Sequence, residues 1–192
     1  MLISSHKSGF TLIELSIVIV IIGLIVAGVV GGKSLVESAN LKRVIAETQR
    51  FKQAYNTFKL TYNYMPGDIP NATSYWSGSA DGNGDRYITW SAESLRGHEQ
   101  LGLSGLWPGT YSTTKFIHSV YKNGSYHTPI QCSSMGRSDM GRNCAQLGTE
   151  SDWNASIFTP RQLHNIDSAL DDGMPLTGKI RFRAFGAVTT ST

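Results

Sequence analysis

The sequence lacks most of the features that mark an enzyme or a transition-metal protein. Of its 192 residues, 2 are cysteines and 5 are histidines, and no histidine is spaced from a carboxylate as in a proton-transfer pair. His98-Glu99 begins an H-E-x-x-H pattern, but Gly102 occupies the position of the second histidine. No G-x-S-x-G motif occurs. We therefore predict that the chain is not an enzyme and that it requires no cofactor.

Two further absences concern the first third of the chain. Proline is absent before Pro66, and no lysine or arginine occurs between Phe10 and Gly32. Without proline nothing interrupts a helix, and without a basic residue the segment 10–32 is an almost uniformly apolar run. At about 1.5 Å per residue, this run is long enough to cross a hydrocarbon core of about 30 Å. The sequence therefore predicts a transmembrane helix over residues 10–32, in contact with membrane lipid.

The net charge is small. The formal charge is +3, and positive and negative residues alternate along the chain. Nucleic-acid binding calls for basic residues gathered on one face. The basic residues of the later part of the chain that could form such a face are widely dispersed: Lys115, Lys122, Arg137 and Arg142. The sequence therefore argues against a nucleic-acid partner.

One acidic residue, Glu14, interrupts the apolar run about a turn after its start. A carboxylate at the centre of a membrane helix costs about 2.5–3.5 kcal/mol on insertion, and less near an end, where it reaches the interface. Glu14 could thus be an acid tolerated near a helix end. An intramembrane acid is more often functional and paired with a cation. Cleavage after Gly9 would create that cation, because it frees the α-amino group of Phe10.

These residues carry a resemblance. Gly9-Phe10-Thr11-Leu12-Ile13-Glu14, between a short polar leader and the apolar run, resembles the class III signal of type IV pilins and type II secretion pseudopilins. The resemblance implies that a prepilin peptidase cleaves after Gly9 and that Phe10 is then N-methylated. It also implies that Glu14 pairs with the amino group of a neighbouring subunit. The implied partners are the peptidase, other pilin or pseudopilin subunits and an inner-membrane assembly platform.

Two other interpretations of this segment fit less well. A cleaved secretory signal has an apolar region of about 7–15 residues followed by a small-residue cleavage site, whereas this run is longer and contains an acid. Residues 27–34 (AGVVGGKS) resemble a relaxed P-loop. A P-loop follows a strand within a βαβ unit, and residues 27–34 instead follow a membrane-spanning helix.

An amphipathic stripe follows the apolar run. From Leu41 to Tyr62, residues of one helical face recur at alternating spacings of three and four. The stripe comprises Leu41, Val44, Thr48, Phe51, Tyr55, Phe58 and Tyr62. We therefore predict one continuous helix from about Phe10 to about Tyr62, ended by Pro66-Gly67-Asp68.

Shorter elements are predicted beyond this helix. They are a helix over 91–101, a hairpin with strands 115–122 and 125–131 around Asn123-Gly124, a helix that begins at Thr159-Pro160, and a strand over 179–185. A long N-terminal helix packed on a small antiparallel sheet is an α+β arrangement. It is also the pilin-like layout that the resemblance implies.

The predicted organisation has three parts. They are a leader over 1–9, a transmembrane and filament-core helix over 10–32, and a periplasmic globular domain over 33–192 that includes an amphipathic helix over 33–62. The last part, about 160 residues, is long enough for one domain with its own core. The implied location is the bacterial inner membrane, crossed once, with a cytoplasmic leader and a periplasmic C-terminal domain.

Three groups of residues in the globular part bear chemistry. Cys132 and Cys144 would close a short polar loop, and in an exported domain such a pair favours a disulfide over two reduced thiols. Closing a loop of this size contributes about 3 kcal/mol in the chain-entropy model.

The second group places oxygen ligands at alternate positions: Asp81, Asn83 and Asp85. This is how an EF-hand calcium loop opens, but Arg86 replaces its glycine and Glu93 comes one residue late. The pattern fits either a calcium site or a Gly/Asp turn. The third group, Asp167 with Asp171-Asp172, leaves the same choice between a turn after a helix and a second set of calcium ligands.

The function that these patterns predict is that of a structural subunit of a type II secretion pseudopilus or a type IV pilus, without enzymatic activity. Two alternatives remain open. The helix could tether a periplasmic binding or hydrolytic domain to the membrane as a single span. The chain could also be a DNA-uptake pilin, which would require a basic stripe on its outer domain.

Overall fold

The structure is a computed structural model that describes residues 9–89, 92–109, 117–119, 121, 124–131, 143–149, 157–174 and 176–180. Helix predominates among these residues. The helices are α1 (Leu12–Tyr62), α2 (Glu93–Leu103) and α3 (Pro160–Leu170), with a 3₁₀ turn at Ala72–Ser74. The strands are β1 (Ile117–His118), β2 (Gly124–Gln131) and β3 (Asn143–Thr149).

The long N-terminal helix is confirmed. α1 contains 51 residues and is continuous through its four glycines, Gly23, Gly28, Gly31 and Gly32. A methyl group added at any of these glycines would meet no atom within 4 Å. The helix ends at Tyr62, as predicted, but Asn63 ends it before Pro66 is reached. Asn63 adopts a left-handed backbone with φ 60°, and its N–H donates to the Lys59 carbonyl at 2.9 Å. Asparagine at this position is an alternative to the glycine that commonly ends helices.

The chain divides between Asn40 and Leu41 into two units. In the first unit the apolar side chains of α1 are exposed, from Leu12 to Val36. In the second unit four residues of the predicted stripe are buried, namely Leu41, Val44, Phe51 and Phe58, and the other three are half-buried. Ala54, which was not predicted, joins the buried face.

This buried face contributes to two apolar clusters. The first joins Phe51, Ala54 and Phe58 to Ile69 and Ala72 after α1, Leu101 of α2, Trp107, and Ile117 of β1. Its rings meet edge to face where Phe51 contacts Trp107, with centroids 5.6 Å apart. The second cluster joins Leu41 and Val44 to Tyr121, Ile157 and Ile166. Leu147 of β3 packs against both clusters, so the two are parts of one core.

The sheet is small and antiparallel, with strand order β1-β2-β3. Ile117 pairs with Tyr126, and Tyr126 pairs with Leu147 on the other side. The register of β2 with β3 shifts between His127 and Ile130. Pro129 lies at this shift, where it has no N–H to donate to the ladder.

The predicted sheet agrees only in part. The second hairpin strand is observed as β2. Of the predicted first strand over 115–122, Ile117 and His118 form β1, Ser119 and Tyr121 lie outside any strand, and the other four residues, like Asn123, lie outside the described residues. β3 was not predicted. Of the predicted strand over 179–185, Lys179 and Ile180 are described and lie outside any strand, and the remainder lies outside the described residues. The long helix and a small sheet are thus observed, and the pilin-like layout stays a prediction.

The loop after α1 packs closely on α2. Gly67 has φ 93°, and its N–H donates to the Gln100 side chain at 2.7 Å. A Cβ at Gly67 would overlap the backbone carbonyl of Glu93, at the start of α2. Gly97 of α2 approaches the same loop, since its Cβ would lie 2.9 Å from the Pro66 carbonyl oxygen. Glycine is therefore required by close backbone approach on both sides of this contact.

α3 begins as the sequence predicts. Thr159 is its N-cap and accepts a hydrogen bond from the Gln162 backbone N–H, while the Gln162 side chain accepts one from the Thr159 N–H at 2.8 Å. Pro160 occupies the first helical turn. This reciprocal pair is a capping box, and it satisfies two donors that a helix start leaves without intrahelical partners.

Candidate functional site

The N-terminal end of α1 holds the residues that the sequence singles out. Thr11 precedes the helix, and Glu14 lies in its first turn. Glu14 Oε2 accepts two hydrogen bonds of 2.8 Å, from the Thr11 backbone N–H and from the Thr11 hydroxyl. The Glu14 N–H donates in turn to Thr11 Oγ1 at 3.3 Å. Thr11 and Glu14 therefore form a second capping box.

This arrangement gives Glu14 a partner within its own chain. A carboxylate in the first helical turn satisfies a backbone donor and interacts favourably with the positive end of the helix dipole. The sequence reasoning looked only for a cation and missed Thr11. The signal was available, since T-L-I-E is a Thr-x-x-Glu pattern directly before an apolar run. Both hydrogen bonds that Thr11 donates reach the same oxygen of Glu14, Oε2.

The peptide bond between Gly9 and Phe10 lies ahead of the helix. Both residues have non-helical backbone and are exposed, and the Phe10 side chain is 85% exposed. Apart from its chain neighbours, no atom of the described residues lies within 4 Å of where a Cβ of Gly9 would be. Exposed, non-helical backbone is the form of chain that a peptidase can reach. Residues 1–8 of the predicted leader lie outside the described residues.

The residues of α1 that follow are apolar and exposed. Of the helices in the described residues, α1 is the one that is long and apolar enough to cross a membrane. Its exposed large side chains include Ile17, Ile21, Leu24, Ile25 and Val29. A continuous apolar surface of this length marks a lipid-facing or partner-facing segment.

The comparison with protein families bears on the same segment. Residues 4–30 match the family model described as the prokaryotic N-terminal methylation motif. Residues 4–30 carry a type IV pilin-like prepilin signal. The match ends well before the globular part of the chain. No curated protein and no solved structure matches the chain.

A prepilin signal joined to a membrane-capable helix is a feature of pilin-like and pseudopilin-like proteins. The motif implies processing by a prepilin peptidase and assembly with other pilins. An apolar helix near the N-terminus fits a single-pass protein of the inner membrane.

The predicted calcium loop is held by its own hydrogen bonds. Asp81 Oδ1 accepts from the Thr73 N–H at 2.9 Å and from the Thr73 hydroxyl at 3.0 Å. Asn83 Oδ1 accepts from the Asp85 N–H at 3.0 Å, and the Asn83 amide donates to Asp85 Oδ2 at 2.9 Å. These contacts are those of a Gly/Asp turn. A calcium site at Asp81, Asn83 and Asp85 stays a prediction.

The other two groups stand differently. Cys144 lies half-buried on β3, but Cys132 lies outside the described residues, so the disulfide between them stays a prediction.

The structure brings the three acids near the end of α3 close together. Carboxylate oxygens of Asp167, Asp171 and Asp172 lie within 4.8 Å of one another.

Proposed function

We propose that the chain is a structural subunit of a type II secretion pseudopilus or a type IV pilus, made as a precursor and assembled through the N-terminal part of α1. A prepilin peptidase cleaves after Gly9, and Phe10 becomes the methylated first residue. The observation that carries the proposal is the joining of a prepilin signal to a helix whose apolar side chains are exposed.

The exposed apolar surface of α1 is consistent with a helix that moves from membrane lipid into contact with neighbouring subunits. Burying apolar surface is worth about 25 cal/mol per Å², so a helix with so many exposed isoleucines, leucines and valines is unfavourable in water. Lipid covers these side chains while the subunit resides in the inner membrane. Helices of neighbouring subunits cover them in a filament, where the glycines of α1 allow close approach.

The capping box supports a particular order of events at Glu14. Thr11 and Glu14 both lie on the C-terminal side of the Gly9–Phe10 bond. Cleavage therefore leaves the helix start intact and places an ammonium group on Phe10. In the assembled filament, Glu14 pairs with the Phe10 ammonium of a neighbouring subunit, because an uncompensated carboxylate away from water is costly. Within its own chain, Glu14 keeps the helix end ordered until then.

The prediction that tests this proposal separates the charge of Glu14 from its capping role. In the native host, Glu14→Gln keeps an acceptor for Thr11 but removes the charge, and we expect filament yield to fall at least tenfold. The matched control, Thr11→Val, removes the hydroxyl of the capping box and keeps the charge. We expect it to weaken the helix start by about 1 kcal/mol and to reduce assembly less than twofold. Sheared filaments are quantified by immunoblot against the total membrane pool.

Mass spectrometry of the mature wild-type protein should find N-methyl-Phe10 at its terminus. Gly9→Val, with a branched side chain at the cleavage site, should leave the precursor uncut. An intact leader in wild-type protein from a working system would contradict the processing step. Normal filaments with Glu14→Gln would contradict the pairing step. If the Gly9 and Glu14 variants both behave as wild type, the helix serves only as a membrane tether for a periplasmic domain.

A further inference from the structure

The acids at the end of α3 form a cluster that the proposed function does not use. Asp167 lies in the last turn of α3, Asp171 is its C-cap, and Asp172 follows. Their carboxylate oxygens lie within 4.8 Å of one another. The three acids lie at the C-terminus of α3, which is the negative end of the helix dipole. The last turn of α3 contains no basic residue to offset their charge. Like charges this close, at this end of a helix, destabilise one another unless a cation lies among them.

Asp167 supplies an independent observation. Its side chain is completely buried, and neither carboxylate oxygen has a hydrogen-bond partner in the part of the chain that the structure describes. Buried carboxylates are otherwise paired, hydrogen-bonded or coordinated to a metal. No hydrogen bond among the described residues compensates this buried carboxylate, so a cation placed between Asp167 and the two neighbouring acids would stabilise it.

The other two acids already have their backbone contacts. Asp171 Oδ2 accepts hydrogen bonds from the Lys179 and Ile180 N–H groups. Asp172 accepts from the Met174 N–H at 2.9 Å and from the Thr177 hydroxyl at 2.7 Å. These bonds connect residues 172–174 and 176–180 to the end of α3 and hold the half-buried Asp171 and the exposed Asp172 beside the buried Asp167.

We propose that Asp167, Asp171 and Asp172 bind one calcium ion. Oxygen ligands lie about 2.3–2.6 Å from calcium, so two ligands on opposite sides are about 4.6–5.2 Å apart. Oxygens within 4.8 Å of one another are close enough to share one calcium ion. Magnesium requires a near-ideal octahedron at about 2.0–2.1 Å and gives up its waters reluctantly, so it is seldom held by protein oxygens alone. The ion fastens the 172–180 segment to α3 and removes the repulsion among the three acids.

The experiment uses the full-length chain in detergent, stripped of metal with a chelator, and follows thermal unfolding by circular dichroism. With 10 mM calcium and a site of about 10⁻⁴–10⁻³ M, we expect the wild-type Tm to rise by about 3–10 °C. Magnesium at 10 mM should give less than half of that rise. Sodium chloride at matched ionic strength should give none.

The Tm of Asp167→Asn should differ from that of wild type in opposite directions without and with calcium. Without calcium its Tm should equal or exceed that of wild type, because the variant removes a buried, unpaired charge. With calcium the rise should disappear. Asp172→Asn, at an exposed position, should also lose most of the rise. The matched control, Asp81→Asn combined with Asp85→Asn, should keep the full rise.

Other outcomes overturn the proposal. A rise that survives in Asp167→Asn but disappears in the Asp81/Asp85 variant assigns the ion to the earlier loop. A wild-type Tm unchanged by 10 mM calcium excludes the site. An equal rise in Tm with magnesium and with calcium contradicts the assignment of calcium as the ion. None of these results depends on cleavage, methylation or filament assembly, so the site and the proposed function fail separately.

Discussion

Two stretches of the same helix treat the same kind of residue in opposite ways. Leu35 and Val36 are 72% and 61% exposed, whereas Val44, about two turns later, is 1% exposed. Both stretches are rich in aliphatic residues, and both are regular α-helix. The first lies in the unit that ends at Asn40, and the second lies in the unit that begins at Leu41.

The difference lies in how the apolar residues are distributed around the helix. Before Asn40 they occupy every face, which suits a helix surrounded by lipid or by other helices. After Leu41 they follow one stripe, and charged residues such as Lys42, Arg43 and Lys52 take the other faces. The chain itself can bury a stripe, but it cannot bury a whole circumference. One helix thus combines a segment that depends on other molecules with a segment stabilised by its own domain.

The largest loss of free energy of unfolding is expected from a substitution in the buried stripe of α1. Phe58 is fully buried, and its ring lies 4.5 Å from that of Tyr62. Phe58→Ala should lower the free energy of unfolding by about 3–5 kcal/mol, through lost burial and a residual cavity. Leu24→Ala, on the exposed segment, should change it by less than about 0.5 kcal/mol. Urea unfolding of the full-length protein in detergent measures both, and equal losses would contradict the division into two segments.

A somewhat smaller effect is expected at the loop that closes the domain beside α2. Gly67→Ala should cost about 3 kcal/mol, because φ is 93° and the added Cβ would overlap the Glu93 carbonyl. Gly78 is a matched control, with φ 94° and no atom within 4 Å of its Cβ position. Gly78→Ala should cost about 1 kcal/mol from backbone strain alone. The same urea titration compares them, and similar values would show that the close backbone contact contributes little.

The smallest effect concerns pH. Burial raises the pKa of Asp68, assisted by the charges of Asp85 and Glu93 and opposed by hydrogen bonds from the Arg86 and Gly84 N–H groups. A carboxyl that holds its proton more tightly when folded stabilises the fold most below its unfolded pKa. That contribution declines as the pH rises to the folded pKa and is constant above it.

The free energy of unfolding, measured in chelator from about pH 3.5 to pH 6, should therefore include a component that falls with rising pH. This component should be lost in Asp68→Asn, which keeps an acceptor for the Arg86 N–H. The buried Tyr55 hydroxyl lies near Asp68, and the charge of Asp68 contributes to raising the Tyr55 pKa. Tyr55→Phe should leave the acid-side component in place. An unchanged pH profile in Asp68→Asn would assign it to other groups.

The sequence predicted the long helices well, because their signals are local. The absence of proline and the spacing from Leu41 to Tyr62 define α1, and Thr159-Pro160 defines the start of α3. Its errors came from features with weak local signals. β3 has a glycine and an alanine among few β-branched residues, so its pairing with β2 is set by partners distant in sequence. The end of α1 at Tyr62 was predicted correctly, but the left-handed asparagine that ends it was not.

The candidate sites show the same limit. The Thr11–Glu14 capping box could be predicted from T-L-I-E, but Glu14 was interpreted only as the partner of a cation. Asp167 and Asp171 are four residues apart and share a helix face, so their proximity could be predicted. The complete burial of Asp167 could not, since burial depends on tertiary packing that no local pattern marks.

The four glycines of α1 have a practical consequence. Each sits on an open surface of the chain, so alanine there meets no obstacle and makes the lone helix more stable by up to about 1 kcal/mol. A methyl group at Gly23, Gly28, Gly31 or Gly32 therefore acts as a spacer of known size. If alanine at one of these positions impairs filament assembly while it stabilises the isolated helix, the backbone of a neighbouring subunit must lie within van der Waals distance of that position.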